Sequence, residues 1–152
     1  MSPSPPVLGV RRLDRGDLDR VLLLFGAYRE FYERKPDPDR ERTFLLERLD
    51  RDECVIFVAE SGRRAIGFTL LYPLFSSLSL RPTWVLNDLY VLPEHRRRGV
   101  AARLLIEARE FARATGAEYL TLETARENPA QRLYEAEGWK RDDLFLHYEL
   151  VL

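Results

Sequence analysis

The sequence predicts a single α/β domain whose mixed central sheet of about seven strands carries helices on both faces. Three observations point to it. β-Branched and aromatic runs flank the turn-forming pair Ser61-Gly62 in "CVIFVAESGRRAIGFTLLYPL", residues 54–74, the pattern of an antiparallel hairpin. "TWVLNDLYV" at 83–91, a long helical pattern and "EYLTLET" at 118–124 then follow in the order of a β-α-β crossover, which favours a parallel pair. Finally, a chain of 152 residues is long enough for one core and buries about two thirds of its unfolded surface.

The elements follow in order. Residues 7–13 predict a short first strand behind a Pro-rich, mobile tail at 1–6. Asp17 caps a helix whose apolar positions Leu18, Val21, Leu22, Phe25, Tyr28 and Phe31 recur at the helical period. A second helix over about 40–49 follows "KPDPDR", with Phe44, Leu45 and Leu49 on its buried side. The hairpin comes next, then an irregular stretch at 75–82 and a strand ended by Pro93. Val100, Ala101, Leu104, Leu105, Ala108, Phe111 and Ala112 mark one face of a long helix that Gly116 closes. After the strand at 118–124, Asn128 and Pro129 open another helix, since Asn caps and Pro tolerates the first helical position, and Gly138 ends it. Two last strands near 139–141 and 144–151 complete the order β-α-α-β-β-β-α-β-α-β-β, with 7–152 as one domain.

A net charge of −1 gives no global attraction to nucleic acid or anionic membrane, so any anion site must be local. Cys54 stands alone, which excludes an intrachain disulfide and a cysteine metal cluster and suits a reducing compartment. His95 and His147 are too few for a histidine-rich centre, and no metal is expected. The longest aliphatic or aromatic runs are about five residues, such as "VLLLF" at 21–25, far below the roughly 20 needed to span a bilayer. "MSPSPPVLG" lacks the basic start and apolar stretch of a secretory leader. The expectation is a cytoplasmic protein with neither nucleic acid nor membrane as partner.

Strict alternation along 84–91 places Trp84, Leu86, Asp88 and Tyr90 on one face and Val85, Asn87, Leu89 and Val91 on the other. Both faces are largely apolar, as in a central strand covered on two sides, yet Asn87 and Asp88 interrupt the pattern. A buried carboxylate is costly unless paired or functional. Each of the two therefore either bonds a loop or helix start, or handles an incoming substrate. Just beyond, "PEHRRRGVAARLL" at 93–105 sets Arg96, Arg97 and Arg98 before a helix start, where partial positive charge favours acidic residues instead. Either this is a solvated charge run, or the tight loop, Gly99 and small Ala101 bring several N–H groups onto one anion, phosphate being the obvious candidate. The spacing is neither that of a Walker A loop nor that of a dinucleotide fingerprint.

Arg96-Arg97-Arg98-Gly99-Val100-Ala101 resembles the R/Q-x-x-G-x-G/A signature of the GNAT N-acetyltransferase superfamily, standing as it should between "NDLYV" and a long helix. "ENPAQRLYEAEGW" at 127–139 resembles the second motif of that family, an Asn before a helix with a Leu-Tyr pair, then Gly and an aromatic. "NDLYV", "FSSLS" and "FLHYEL" are most similar to a branch of small acetyltransferases that includes histone, polyamine and amino-acid modifiers. The resemblance implies the GNAT fold, with acetyl-CoA as cofactor and CoA as product. The pyrophosphate would rest on backbone amides of Arg97, Arg98, Gly99, Val100, Ala101 and Ala102, with Arg96 beside it. The pantetheine would run along Leu89, Tyr90 and Val91, where the motif strand and the next one splay apart, and Asn128 would touch it. Tyr134 matches the tyrosine that protonates the departing thiolate in many members; helix spacing alone makes it a packing residue beside Leu133. The usual Asn-to-Tyr spacing is seven residues, whereas Asn128 precedes Tyr134 by six and Glu127 holds the seventh place.

An amine of pKa about 10.4 is neutral in fewer than about one molecule in a thousand at pH 7, so a base is needed. In related polyamine acetyltransferases a Glu aligns with Asn87, which cannot be a base. The catalytic candidates are Asp88, or Glu123 acting through water, with Asn87 holding that water or the substrate. A backbone N–H near Val91 would stabilise the oxyanion. The implied reaction is direct acetyl transfer in a ternary complex to a primary amine, of a polyamine-like or amino-acid-like small molecule or of a peptide or protein lysine. A non-catalytic acyl-CoA sensor of the same fold is the alternative, because position 87 lacks the Glu. The acceptor pocket is expected from Tyr28, Phe31, Tyr72, Phe75, Trp84 and His147. Family members commonly dimerise through their last strands, and 144–151 would suit a homodimer edge.

Overall fold

The computed structural model describes residues 8–152; the tail at 1–6 and the Val7 start of the first strand lie outside the described residues. Strands β1 (Leu8–Arg12), β2 (Val55–Ser61), β3 (Arg64–Ser76), β4 (Arg81–Val91) and β5 (Leu120–Thr121) form one sheet in sequence order. Pairing is antiparallel from β1 to β4 and parallel between β4 and β5, so the sheet is mixed.

Helices α1 (Leu18–Phe31) and α2 (Pro38–Asp50) cover one face of the sheet. Val21, Leu24, Phe25 and Leu45 pack there on Ile56, Val58, Phe68 and Leu70. Helix α3 (Val100–Ala114) covers the other, with Val100, Leu104, Leu105 and Ala108 against Val55, Phe57, Ile66 and Leu86. Strand β2 is buried on both sides from Val55 to Ala59, which is why its sequence is a continuous apolar run rather than an alternation. Helix α2 begins two residues earlier than its apolar period suggests: Asp37 accepts from the Arg40 amide at 3.2 Å, and Pro38 occupies the first turn. A short α4 (Gln131–Ala136) follows the Asn128 turn.

Four expectations need correction. The sheet has five strands rather than about seven, because 139–141 and 144–151 form no strand. A strand exists only where a neighbour takes its N–H and C=O groups, and among the described residues no strand but β4 pairs with β5. The strand predicted over 118–124 shrinks to Leu120–Thr121, since β4 and β5 diverge after the pairs Trp84–Leu120 and Val85–Thr121. The stretch 75–82, expected to be irregular, is ladder at both ends, Phe75 pairing with Pro82 and Ser76 with Arg81 across a turn at 77–80.

The last correction bears on the site. Leu70 opposes Asp88, while Leu71 opposes Leu86, so Asn87 is an extra residue bulging from β4. Alternation therefore resets there. Trp84, Leu86, Leu89 and Val91 face α3, whereas Tyr90 packs on the α1 side. Among the described residues, no helix is long and apolar enough to cross a membrane.

Candidate active site

The bulge directs both Asn87 and Asp88 into a cavity of about 630 Å³ between α1, α2 and the sheet. Phe25, Tyr28 and Arg29 from α1, Phe44 and Glu47 from α2 and Tyr72 from β3 are among its walls. Asp88 is only 5% exposed. Its carboxylate accepts from Asn87 Nδ2 at 3.0 Å and from the Tyr28 hydroxyl, and its carbonyl accepts from Thr69 Oγ1 at 2.9 Å. Burial pushes the carboxyl above the usual carboxylate range, and the two side-chain hydrogen bonds only partly offset this. Tyr28 is driven up by burial and by its bond to Asp88, and burial raises Tyr72 to about 12. The pair at 87 and 88 thus combines a proton acceptor of raised basicity with an amide that orients it.

Five carboxylates line this cavity, Asp37, Asp39, Glu41, Glu47 and Asp88, against the two cations Arg29 and Arg40. Arg29 is consumed by Glu41 at 2.5 Å, and Arg40 stands 4.0 Å from Asp37. An acid excess remains, beside the aromatic rings of Phe25, Tyr28 and Phe44. Such a lining attracts cations, by charge and through aromatic faces.

Of the expected pocket residues, Tyr28 and Tyr72 line the cavity and the others do not. Phe31 faces the Arg96 guanidinium at 5.9 Å. Phe75 is exposed on the far turn of β3. Trp84 lies on the opposite face against Phe111, ring centres 5.0 Å apart, and donates through Nε1 to Thr115 Oγ1. His147 stands 3.3 Å from Glu123. Sequence reasoning missed Phe25, Arg29 and the polar flank of α2, although the acids at 37, 39, 41 and 47 were a readable signal opposite Leu45.

A second opening lies between β4 and β5. Leu92 donates to Ile66 on β3, so alternation aims the backbone groups of Leu89 and Val91 the other way, into the gap between the diverging strands. Beyond the strand, Arg97 at φ 60° and Gly99 at φ 79° turn the chain sharply into α3. That helix starts without a side-chain cap or an acidic residue in its first turn, which leaves the amides around Gly99, Val100, Ala101 and Ala102 for an external acceptor. A Cβ placed on Gly99 would meet nothing within 4 Å, so the space in front of the turn is open. These donors suit the pyrophosphate of a nucleotide-type cofactor. Arg96 braces the loop, its Nε donating to the Val91 carbonyl at 2.8 Å and its guanidinium lying 5.4 Å from the Tyr90 ring. Arg97 and Arg98 are exposed.

Tyr134 is half-buried on α4 beside Trp139, ring centres 6.3 Å apart. Burial raises its phenol, and a hydrogen bond with Thr124 opposes the rise. Asn128 caps the turn ahead of α4, its Oδ1 accepting from the Ala130 amide at 2.9 Å. Glu123 is exposed, bonded to His147 and outside the cavity that holds Asp88. Cys54 is buried, its thiol pushed up to about 11 by that burial, and so is inert. Among the described residues, no group of three His, Cys, Asp or Glu side chains could hold a metal.

Residues 22–139 match the family described as "Acetyltransferase (GNAT) family". The chain is 42% identical over 142 residues to the uncharacterised N-acetyltransferase YhfO of Bacillus subtilis (strain 168), covering 93% of this chain and 95% of that one. It is 25% identical over 145 residues to an aminoglycoside N(6')-acetyltransferase type 1 of Salmonella typhimurium, covering 93% and 97%. A solved structure of a probable acetyltransferase superposes with a TM-score of 0.89 at 41% identity, over 95% of this chain and 97% of the other.

Proposed function

The chain belongs to the acetyltransferase (GNAT) family, which makes it an acyltransferase that uses acetyl-CoA, and from that premise we propose that it acetylates a primary amine of a small, multiply charged cation. The observation that carries this reading is the acid-lined cavity floored by Asn87 and Asp88, back to back with the open edge of β4. The aminoglycoside acetyltransferase among its relatives acts on a molecule of that charge type, and a polyamine is another.

When bound, acetyl-CoA supplies a thioester carbonyl for attack. The amides at the start of α3 would hold its pyrophosphate, and the Leu89 and Val91 edge would hold its pantetheine by strand-like hydrogen bonds. Asp88 would take the proton from the acceptor ammonium, its raised basicity narrowing the gap to an amine. Tyr28 and Asn87 keep that carboxylate oriented. The Val91 N–H, aimed into the gap, would stabilise negative charge on the acyl oxygen. Tyr134 would protonate the leaving thiolate, as burial keeps its phenol protonated at neutral pH.

The test is CoA release measured over a panel of mono-, di- and polyamines, amino acids and lysine peptides. Turnover should be highest with the polycations, and preference for neutral or anionic amines would overturn the acceptor assignment. Gly99→Glu should abolish acetyl-CoA binding in calorimetry, because it sets a bulky anion in the open turn at φ 79°. Unchanged affinity would remove that turn from the cofactor site.

A further inference from the structure

We propose that the last turn of α1 is a brace that keeps Tyr28 on Asp88: Tyr32 fixes the Tyr28 ring, and Phe31 ties the turn to Arg96 ahead of α3. Phe31 and Tyr32 are thereby positioning residues for the transfer, an inference that rests on Asp88 as the base of the proposed acetyl transfer. Both side chains are more than half exposed, at 60% and 54%, and neither lines the acceptor cavity. Core burial therefore does not account for two adjacent aromatic rings at a helix end, whereas their contacts do.

Tyr28 is held from four sides. Phe25 stacks on it at 6.4 Å, Phe68 and Tyr90 meet it edge-on from the sheet at 5.9 and 6.3 Å, and Tyr32 meets it edge-on at 5.1 Å. The shortest of the four contacts is the one made by the helix end. Residues 28 and 32 lie one helical turn apart on the same face, and an edge-to-face pair fixes ring angle as well as distance. A Tyr28 ring free to tilt would carry its hydroxyl off Asp88 while leaving the core in place. Burial raises the phenols of Tyr28 and Tyr134, and Tyr32 adds a smaller push to each, so it is near both.

The turn is shaped by its own backbone. Glu33 at φ 59° ends the helix, and the amides of Tyr32 and Arg34 donate back to the Arg29 carbonyl at 3.1 and 2.9 Å. Those bonds are local and do not attach the turn to the sheet. Arg96 makes that attachment: its Nε donates to the Val91 carbonyl at 2.8 Å, and its guanidinium lies 5.4 Å from the Tyr90 ring and 5.9 Å from the Phe31 ring. A guanidinium near two aromatic faces is attracted to both, so the end of α1 is joined to β4 just before the chain turns into α3. One side chain thus holds the Val91 peptide and the turn that aims the partner of Asp88.

The test uses the full chain, with CoA release followed at saturating acetyl-CoA while a polyamine is varied. Tyr32→Leu and Phe31→Leu should each lower kcat about 10- to 100-fold, with polyamine KM and acetyl-CoA affinity within about twofold, because a misplaced base costs rate rather than binding. Tyr32→Phe and Phe31→Tyr keep the rings and should return kcat to within about twofold of wild type. In the leucine variants the acid limb should move to higher pH, because the Tyr28 hydrogen bond that lowers the buried Asp88 carboxyl is loosened. The other charged or titratable groups around the cavity, Arg29 from α1, Asp37 with Asp39, Arg40, Glu41 and Glu47 from α2, and Tyr72 from β3, are the same in every variant. Thermal melts against pH read that shift without turnover, since the fall in stability with rising pH should extend to higher pH. A lower melting temperature with kcat and the acid limb unmoved would overturn the inference, as would a Tyr32→Phe variant as impaired as Tyr32→Leu. A wild type that releases no CoA with any amine would overturn the acetyl-transfer reading instead, and the melts then decide whether the turn holds Tyr28 on Asp88.

Discussion

Asp88→Asn is the most informative single change. The side chain keeps its shape, and its amide can still meet Asn87 at 3.0 Å and Tyr28, one of them after a flip. What disappears is the ability to accept a proton. General-base assistance contributes about 100- to 10,000-fold, equivalent to roughly 3–5 kcal/mol of barrier, so kcat/KM for a cationic amine should fall by that factor while acetyl-CoA affinity stays within about twofold. Stability should move the other way. Because the folded carboxyl is raised above its unfolded value, the folded state holds its proton to higher pH, and stability falls as pH rises from about 4 through the folded pKa. The amide variant has no charge to desolvate, so its melting temperature at pH 7 should match or exceed wild type and lose that pH dependence. Wild-type activity rises with pH through the same ionisation, giving an acid limb above the ordinary Asp range that the variant lacks. Steady-state CoA release with a saturating polyamine, paired with thermal melts from pH 4 to 8, measures both. A variant that turns over within threefold of wild type, or keeps the acid limb, would refute Asp88 as the base.

Two other substitutions probe separate parts of the fold. Tyr134→Phe should lower turnover about 100-fold with acetyl-CoA affinity unchanged, since packing on Trp139 survives; wild-type turnover would take the phenol out of proton transfer. Gly67→Ala should destabilise the sheet by about 1–3 kcal/mol and lower the melting temperature by several degrees. Its new Cβ would meet the Tyr90 carbonyl at 3.0 Å, Val91 Cγ2 at 3.2 Å and Leu104 Cδ1 at 3.4 Å, and a melt identical to wild type would show that β4 and α3 yield there freely.

How much of this could be read from the chain depended on whether the cause was local. The hairpin, α1 and α3 were legible because apolar periodicity and turn chemistry act within a few residues: Val100, Leu104, Leu105 and Ala108 form a stripe whatever lies opposite. The arginine run was legible as the entry to a helix, but not the fate of Arg96, whose partners Val91 and Tyr90 belong to the strand before it. The C-terminal strands failed for the opposite reason. Residues 144–151 have strand composition, but strand formation is decided by a partner, and no stretch of their own sequence says whether one is present. The acceptor walls were partly missed because apolar period identified the buried side of α2, whereas the cavity meets its acidic flank.

The bulge at Asn87 shows why the site lay beyond strict alternation. Under unbroken alternation through Asn87, the carboxylate of Asp88 would share the α3 face with Trp84 and Leu86, buried among apolar side chains without a partner. The extra residue turns it to the α1 side, where Tyr28 and Asn87 satisfy it. It also resets the backbone. Ahead of the bulge the even positions face β5, as the Trp84 amide bonding to the Tyr119 carbonyl shows; past it the odd positions Leu89 and Val91 do. By then β5 has diverged, so no strand partners those groups: the Leu89 groups and the Val91 N–H face the gap, while the Val91 carbonyl accepts from Arg96 Nε at 2.8 Å. On the proposed reading the bulge would therefore place the proton acceptor on one face of β4 and the strand-like edge on its side. An amine arriving from the α1–α2 cavity and a thioester arriving along the β4 edge would meet at the same point of the same strand, which is the geometric requirement for direct transfer between two bound substrates.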